Sequence, residues 1–197
     1  MATITVQPGV SGQPAAVDSW VNSSGLAQTT NYGTAATFKV GVEVGRATDN
    51  YRAFLKFDLS AVPRNAHVTK VVLTFQAASS QTDSDDKSMT VYRVDANWVE
   101  NEITWVLSAS GLLWNTAGGD TYSDRGTFTA TMADGASFAL TSTRSNRGLI
   151  TLAQDALTRR KNILNILIRA DTEGETMGFA IWDSGESGTD SRKPKIA

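Results

Sequence analysis

Short stretches of alternating hydrophobic and polar residues run along most of this chain. In the segment from Val68 to Gln76, Val71, Leu73 and Phe75 fall on one face and Lys70, Thr74 and Gln76 on the other. That period of two predicts a half-buried strand. The run from Ala53 to Leu59 is apolar on both faces, with Leu55, Phe57 and Leu59 together, and Pro63 follows to end it. It predicts a strand covered on both sides. Further strands are expected at Thr3–Val6, Trp20–Val21, Thr37–Val42, Met89–Val94, Thr127–Thr131, Ser137–Leu140, Ile163–Ile168, Gly178–Trp182 and Pro194–Ile196. The spacers between them hold Gly, Asn, Asp, Ser and Pro, the residues that turns require. Many short strands at this spacing predict an all-β jelly-roll sandwich of two antiparallel sheets.

One segment departs from this period. Leu149, Leu152, Ala153, Ala156 and Leu157 recur at helical spacing, which predicts one short α-helix near 147–161. Ser145 or Asn146 is expected to cap its start. Arg159, Arg160 and Lys161 then fall in its last turn, where cations complement the helix dipole. The polar run Ser79–Lys87 predicts an exposed hairpin loop. No linker or repeat divides the chain, so residues 1–197 are expected to form a single domain.

Composition narrows the chemistry. The chain has 197 residues, a formal net charge of −2, one histidine and no cysteine. Disulfides and thiolate metal sites are thereby excluded, and a histidine-rich zinc site is too. No basic stripe interleaves with aromatic residues, so nucleic acid is not an expected partner. No window approaches the roughly 20 apolar residues of a membrane span, and membrane is not an expected partner either. The start Met1-Ala2-Thr3-Ile4-Thr5-Val6 lacks the basic and apolar regions of a signal peptide. Synthesis in a cytoplasm without export is therefore expected.

Several patterns occur in a fixed order. Asn31-Tyr32-Gly33 precedes a strand. The run Tyr51–Pro63 follows, then Val68–Leu73 and Val91–Val94. Next come Trp98-Val99-Glu100-Asn101-Glu102-Ile103-Thr104-Trp105 and the turn Trp114–Asp120, with Pro194-Lys195-Ile196 last. This order resembles the DNRLRE-domain family. The resemblance implies a jelly roll related to carbohydrate-binding modules, used on secreted polysaccharide enzymes, on cell-surface proteins and in virions of tailed bacteriophages. The family's namesake hexapeptide is absent here, and so is the aromatic near the end of its last strand.

No catalytic constellation is expected. His67 has no histidine or cysteine partner and reads as a turn residue. No Gly-x-Ser-x-Gly elbow occurs. Glu100 and Glu102 could pose as a glycosidase pair, but in this corner a carboxylate is better employed tying down loop backbone. Asp83, Asp85 and Asp86 lack the Gly and distal Glu of a calcium loop. No metal ligands are assigned and no cofactor is expected; a structural Ca²⁺, known in sandwich modules of this type, has no support in these residues.

Of five tryptophans, Trp98 and Trp105 fit the corner pattern and read as core. Trp114, in a Gly-rich loop, Trp182, before a polar run, and Trp20 are the candidates for an exposed glycan-stacking platform. Two functions follow as expectations. The first is a non-enzymatic structural protein of a bacteriophage virion surface, a capsid decoration or head/tail accessory protein. Its partners would be capsid or tail proteins, and it would form a cyclic homo-oligomer such as a trimer. The alternative is a carbohydrate-binding module recognising a polysaccharide, which would be extracellular if the chain is an excised module.

Overall fold

The computed structural model describes residues 2–78, 87–122, 128–132, 137–142, 148–174 and 178–197. It is an all-β sandwich with one helix. The strands are β1 (Asp18–Asn22), β2 (Thr37–Val42), β3 (Asn50–Asp58), β4 (Val71–Gln76), β5 (Lys87–Val94), β6 (Leu107–Ala109) and β7 (Leu112–Leu113). They continue with β8 (Thr121–Tyr122), β9 (Phe128–Met132), β10 (Ser137–Ser142), β11 (Ile163–Ala170), β12 (Gly178–Asp183) and β13 (Lys195–Ile196). Helix α1 spans Gly148–Arg159.

The larger sheet runs β12-β2-β3-β11-β5-β8, with β1 also on β3 and β9 also on β5. The smaller sheet is β10-β4-β13, and β6 and β7 form a separate ribbon. Every strand pair is antiparallel. The chain beyond β4 reaches back to the larger sheet, where the Ala78 N–H donates to Ile181 O at 2.9 Å. The two sheets are thus tied along one side.

Strand β3 explains the double-sided burial read from its sequence. Leu55 and Phe57 face a core shared with Val71, Leu73 and Phe75 of β4 and with Leu149 and Leu152 of α1. Phe54 faces the other way, into a second core with Val21, Trp98, Ile103, Trp105, Trp114 and Leu167. The larger sheet is therefore covered by the smaller sheet and helix on one face, and by the loop layer 98–119 on the other. Apolar burial on both faces is the main stabilising term for such a strand.

Two expectations need correction. Thr3–Val6 is not a strand; only Val6 makes a bridge, to Ile196. The ribbon β6–β7 and β8 were not expected, since two- and three-residue strands carry no readable period. Residues 79–86 of the expected hairpin loop Ser79–Lys87, and the expected caps Ser145 and Asn146, lie outside the described residues, while Lys87 opens β5.

Helix α1 ends at Arg159, two residues short of the expected end, so Arg159 alone of the three expected cations lies in its last turn. Lys161 and Asn162 both adopt left-handed backbone, at φ 53° and 67°, and the Asn162 N–H closes on Ala156 O at 3.0 Å. Asn tolerates this region and Lys does not. Lys161→Gly is therefore expected to stabilise the fold by roughly 0.5–1 kcal/mol. A rise in thermal midpoint with unchanged far-UV circular dichroism is the measurement that checks it.

Candidate functional site

The three tryptophans that the sequence offers as an exposed platform, Trp114, Trp182 and Trp20, are all buried. Trp182 is 1% exposed, with its ring stacked on Phe75 at 4.8 Å and edge-on to Phe38 at 5.5 Å. It pairs with Phe38 across β12 and β2, and this register turns it inward. Trp114 is 6% exposed and stacks on Phe54 at 5.4 Å, and its indole N–H donates to Thr104 O at 3.0 Å. Trp20 is 8% exposed and is covered by Tyr32, stacked at 3.7 Å. None of the three presents a free ring face. Each buries a large apolar area and, for Trp114, satisfies its one polar atom inside, which is where an indole is most stable.

The corner 98–105 is built as its sequence suggests. Trp98 and Trp105 are both buried. The Trp98 indole N–H donates to Asn165 Oδ1 at 2.7 Å, and Asn165 in turn donates to Val94 O and Ala96 O. Glu100 Oε1 accepts the Asp18 N–H at 2.8 Å, and Glu102 Oε2 accepts the Ser110 N–H at 2.8 Å. Both glutamates hold backbone, and they do not face each other across a cleft. Asn31 of the Asn-Tyr-Gly turn donates to Glu100 O and Ile103 O, each at 2.7 Å, docking that turn on the corner. The turn Trp114–Asp120 lies close beneath. A methyl group at Gly118 would sit 2.7 Å from the Trp105 ring and 2.6 Å from Arg52 Nη1, so only glycine fits there. His67 is exposed in the β3–β4 connection.

Among the described residues a cleft of about 700 Å³ opens beside the end of α1. One wall is the N-terminal segment, through Pro14, Ala15 and Val17. The floor comes from the ends of β3, β5 and β11, through Lys56, Asp58, Val94 and Asn165. The far wall is the end of α1, through Asp155, Arg159, Arg160 and Lys161. The polar groups of the far wall are strongly ordered. Arg93 Nη1 meets Asp155 Oδ2 at 3.0 Å with both side chains 6% exposed. Arg160 bridges Asp155 at 3.2 Å and Asp95 at 3.1 Å. Burial raises the Asp155 pKa, but hydrogen bonds from Arg93 and Arg160 outweigh it and hold the carboxyl below its usual range. The basic run Arg159-Arg160-Lys161 thus serves the helix end and one cleft wall together.

Other polar groups in the cleft are less fully engaged. Asn97 is exposed at the rim, and Arg159 is 66% exposed, with its Nε 3.9 Å from Asp155 Oδ1. Asp58 uses only Oδ1, for the Ser60 N–H. On the floor, the Lys56 ammonium is held by Trp98 O at 2.6 Å and lies 4.3 Å from the Trp98 ring centre. Its desolvation lowers its pKa, against an opposing effect of Glu100. No aromatic ring lines the cleft.

Tyr122 of β8 is the one aromatic side chain among the described residues that is more than a third exposed, at 44%. It stacks over Arg93, 4.4 Å from the ring centre, and so stands beside the cleft. Sequence reasoning passed it over because its strand is two residues long. Asp83, Asp85 and Asp86 lie outside the described residues. Among the described residues, no three His, Cys, Asp or Glu side chains form a group that could hold a metal ion. No described helix is long and apolar enough to cross a membrane.

Residues 10–107, just under half of the chain, match the family model of carbohydrate-binding module family 96. The matched stretch contains the Tyr51–Pro63 strand and the Trp98–Trp105 corner, together with the near wall and most of the floor of the cleft. It supports relationship to a carbohydrate-binding-module family. It does not reach the narrower DNRLRE name, and it carries nothing about a virion, a capsid or tail partner, or an oligomeric state. No curated protein matches the chain.

Proposed function

We propose that this chain is a non-catalytic carbohydrate-binding module that takes a saccharide in the cleft between the N-terminal segment and the end of α1. The observation that carries this reading is the match to a carbohydrate-binding-module family over the residues that build half of that cleft. The cleft supplies what a sugar needs. Asn97, the free oxygen of Asp58 and the Arg159 guanidinium offer acceptors and donors for hydroxyl groups. Pro14 and Val17 offer an apolar surface for a sugar's C–H face. A rigid ion network behind Arg160 keeps the wall in place, so little ordering is required on binding. With no ring in the cleft to stack on, affinity should be modest, with a Kd on the order of 1 mM.

Glu100 and Glu102 each hold a backbone N–H and neither lines the cleft, which favours binding over hydrolysis. A virion-surface role, the first expectation from the sequence, has no observation behind it in the fold or the match.

Titration against a panel of neutral and acidic polysaccharides tests the proposal. The wild-type chain should bind at least one of them. Asn97→Ala and Arg159→Ala should each weaken that binding about tenfold, the effect of one lost hydrogen bond to a polar ligand, with the thermal midpoint unchanged. A wild-type protein that binds nothing on the panel overturns the function. Binding that both variants leave intact overturns the cleft as its site and points to the Tyr122 surface, which Tyr122→Ala then examines.

A further inference from the structure

The carboxyl groups of Asp18 and Glu186 meet where β1 packs on the loop 184–187, with Glu100 nearby. Asp18 of β1 is 5% exposed, and its Oδ2 accepts the Gly185 N–H at 2.7 Å. Glu186, the next residue, brings its carboxyl group within hydrogen-bonding reach of Asp18. Its Oε2 is buried and has no hydrogen-bond partner. Glu100 of the corner accepts the Asp18 backbone N–H at 2.8 Å. Two carboxylates cannot hydrogen-bond each other without a proton between them.

Among the described residues, two lysines near the group are engaged elsewhere. Lys56 of β3 faces Glu100, but its ammonium is held by Trp98 O. Lys193 spends its ammonium on Gly9 O at 2.7 Å and Asp190 at 2.9 Å. Water cannot enter in quantity. The hollow lined by Pro8, Val17, Asp18, Lys56, Gly185 and Pro194 is about 10 Å³, room for about one water. The backbones are also in close approach, since a methyl at Gly185 would lie 2.1 Å from Ala16 Cβ and 2.8 Å from Asp18 Oδ2.

We propose that Asp18, Glu186 and Glu100 form an acid-closed latch, in which one proton between Asp18 and Glu186 locks the segment Pro14–Asp18 to the loop 184–187, and loss of that proton releases it. The segment and the loop are joined there by the Gly185–Asp18 bond, and an ionised pair of carboxylates would push them apart. Burial, followed by the nearby Glu186 charge, holds the Asp18 carboxyl well above the ordinary range, and burial raises Glu100 as well. Between the unfolded carboxyl range and the higher folded-state value, the folded chain therefore binds more protons than the unfolded one. Stability falls as pH rises through the folded-state value, and the latch opens in the same direction. This inference stands on the carboxylate cluster alone and is independent of any sugar. Pro14, Ala15 and Val17 also line the cleft, so release loosens one of its walls.

Amide hydrogen exchange of the full chain between about pH 5 and pH 8, corrected for intrinsic rates, reads the latch directly. Protection at residues 16–19 and 185–187 should fall about tenfold or more on raising the pH, while the amides shared by β4 and β10 stay protected. Asp18→Asn supplies a permanent donor toward Glu186 and keeps an acceptor for the Gly185 N–H. It should abolish the pH dependence and raise the thermal midpoint at pH 8 above wild type. Glu186→Gln should do the same and serves if the first variant does not fold. Unchanged pH dependence in the variants, or equal protection at both pH values in the wild type, overturns the proposal. None of these readouts involves a glycan, so they stand or fall apart from the binding function.

Discussion

Asp155→Ala should lose about 3–5 kcal/mol of stability, the cost of leaving a buried charge without its partner. The carboxylate sits on α1 at 6% exposure and receives Arg93 from β5, with Arg160 bridging it to Asp95. Arg93 is itself 6% exposed at the side chain, and its Nε already lacks a partner. Removing Asp155 leaves that guanidinium with Asp95 alone, at 3.2 Å. Asp155→Asn, which retains shape and an acceptor, should lose less. Urea unfolding with an unchanged slope and a lowered midpoint is the measurement, and a loss below about 1 kcal/mol would show the pair to be solvated in practice.

The same residue fixes a sign at acid pH. Burial opposes the Asp155 charge, but Arg93 and Arg160 hold its carboxyl below the usual range. Its contribution is complete above the unfolded carboxyl value and is lost as pH falls through the lower folded value. Asp18 acts in the reverse sense, since its carboxyl is raised. The two carboxyls thus act with opposite slopes, Asp155 losing its contribution as pH falls and Asp18 losing its own as pH rises.

The strands were legible where a half-buried surface leaves its mark in the period. β2 falls on the six residues expected, and β4 alternates buried and partly exposed residues as its sequence does. The helix was legible for the same reason, through Leu149, Leu152, Ala153, Ala156 and Leu157. The loop layer was not. Residues 98–119 form a second core against Phe54 and Leu167 while making only the short ribbon β6–β7. Burial in loops follows three-dimensional packing, and no period records it. That is why Trp114, beside glycines, read as exposed, and why Tyr122 did not read as a candidate. The cleft was illegible for a related reason. Its walls come from residues near 14, 56, 95, 155 and 165, brought together only by the β3-β11-β5 order of the sheet.

This has a direct consequence for the mutation that a sugar-platform reading would select. Trp114→Ala is expected to cost about 3–5 kcal/mol, as large-to-small changes of buried aromatics do. The ring is stacked on Phe54, packs in the second core and satisfies Thr104 O, so its removal leaves both a cavity and a carbonyl without its donor. A loss of that size is a large share of the stability of a domain this long. Any glycan binding would then disappear because the module unfolds. Trp114→Phe separates the two roles: it keeps most of the volume, loses the indole N–H, and should cost about 1–3 kcal/mol while leaving binding intact at low temperature. Binding lost by Trp114→Phe in a chain still folded by circular dichroism would place the ring at the ligand after all. Binding retained would leave the cleft residues Asn97 and Arg159 as the ones that decide affinity.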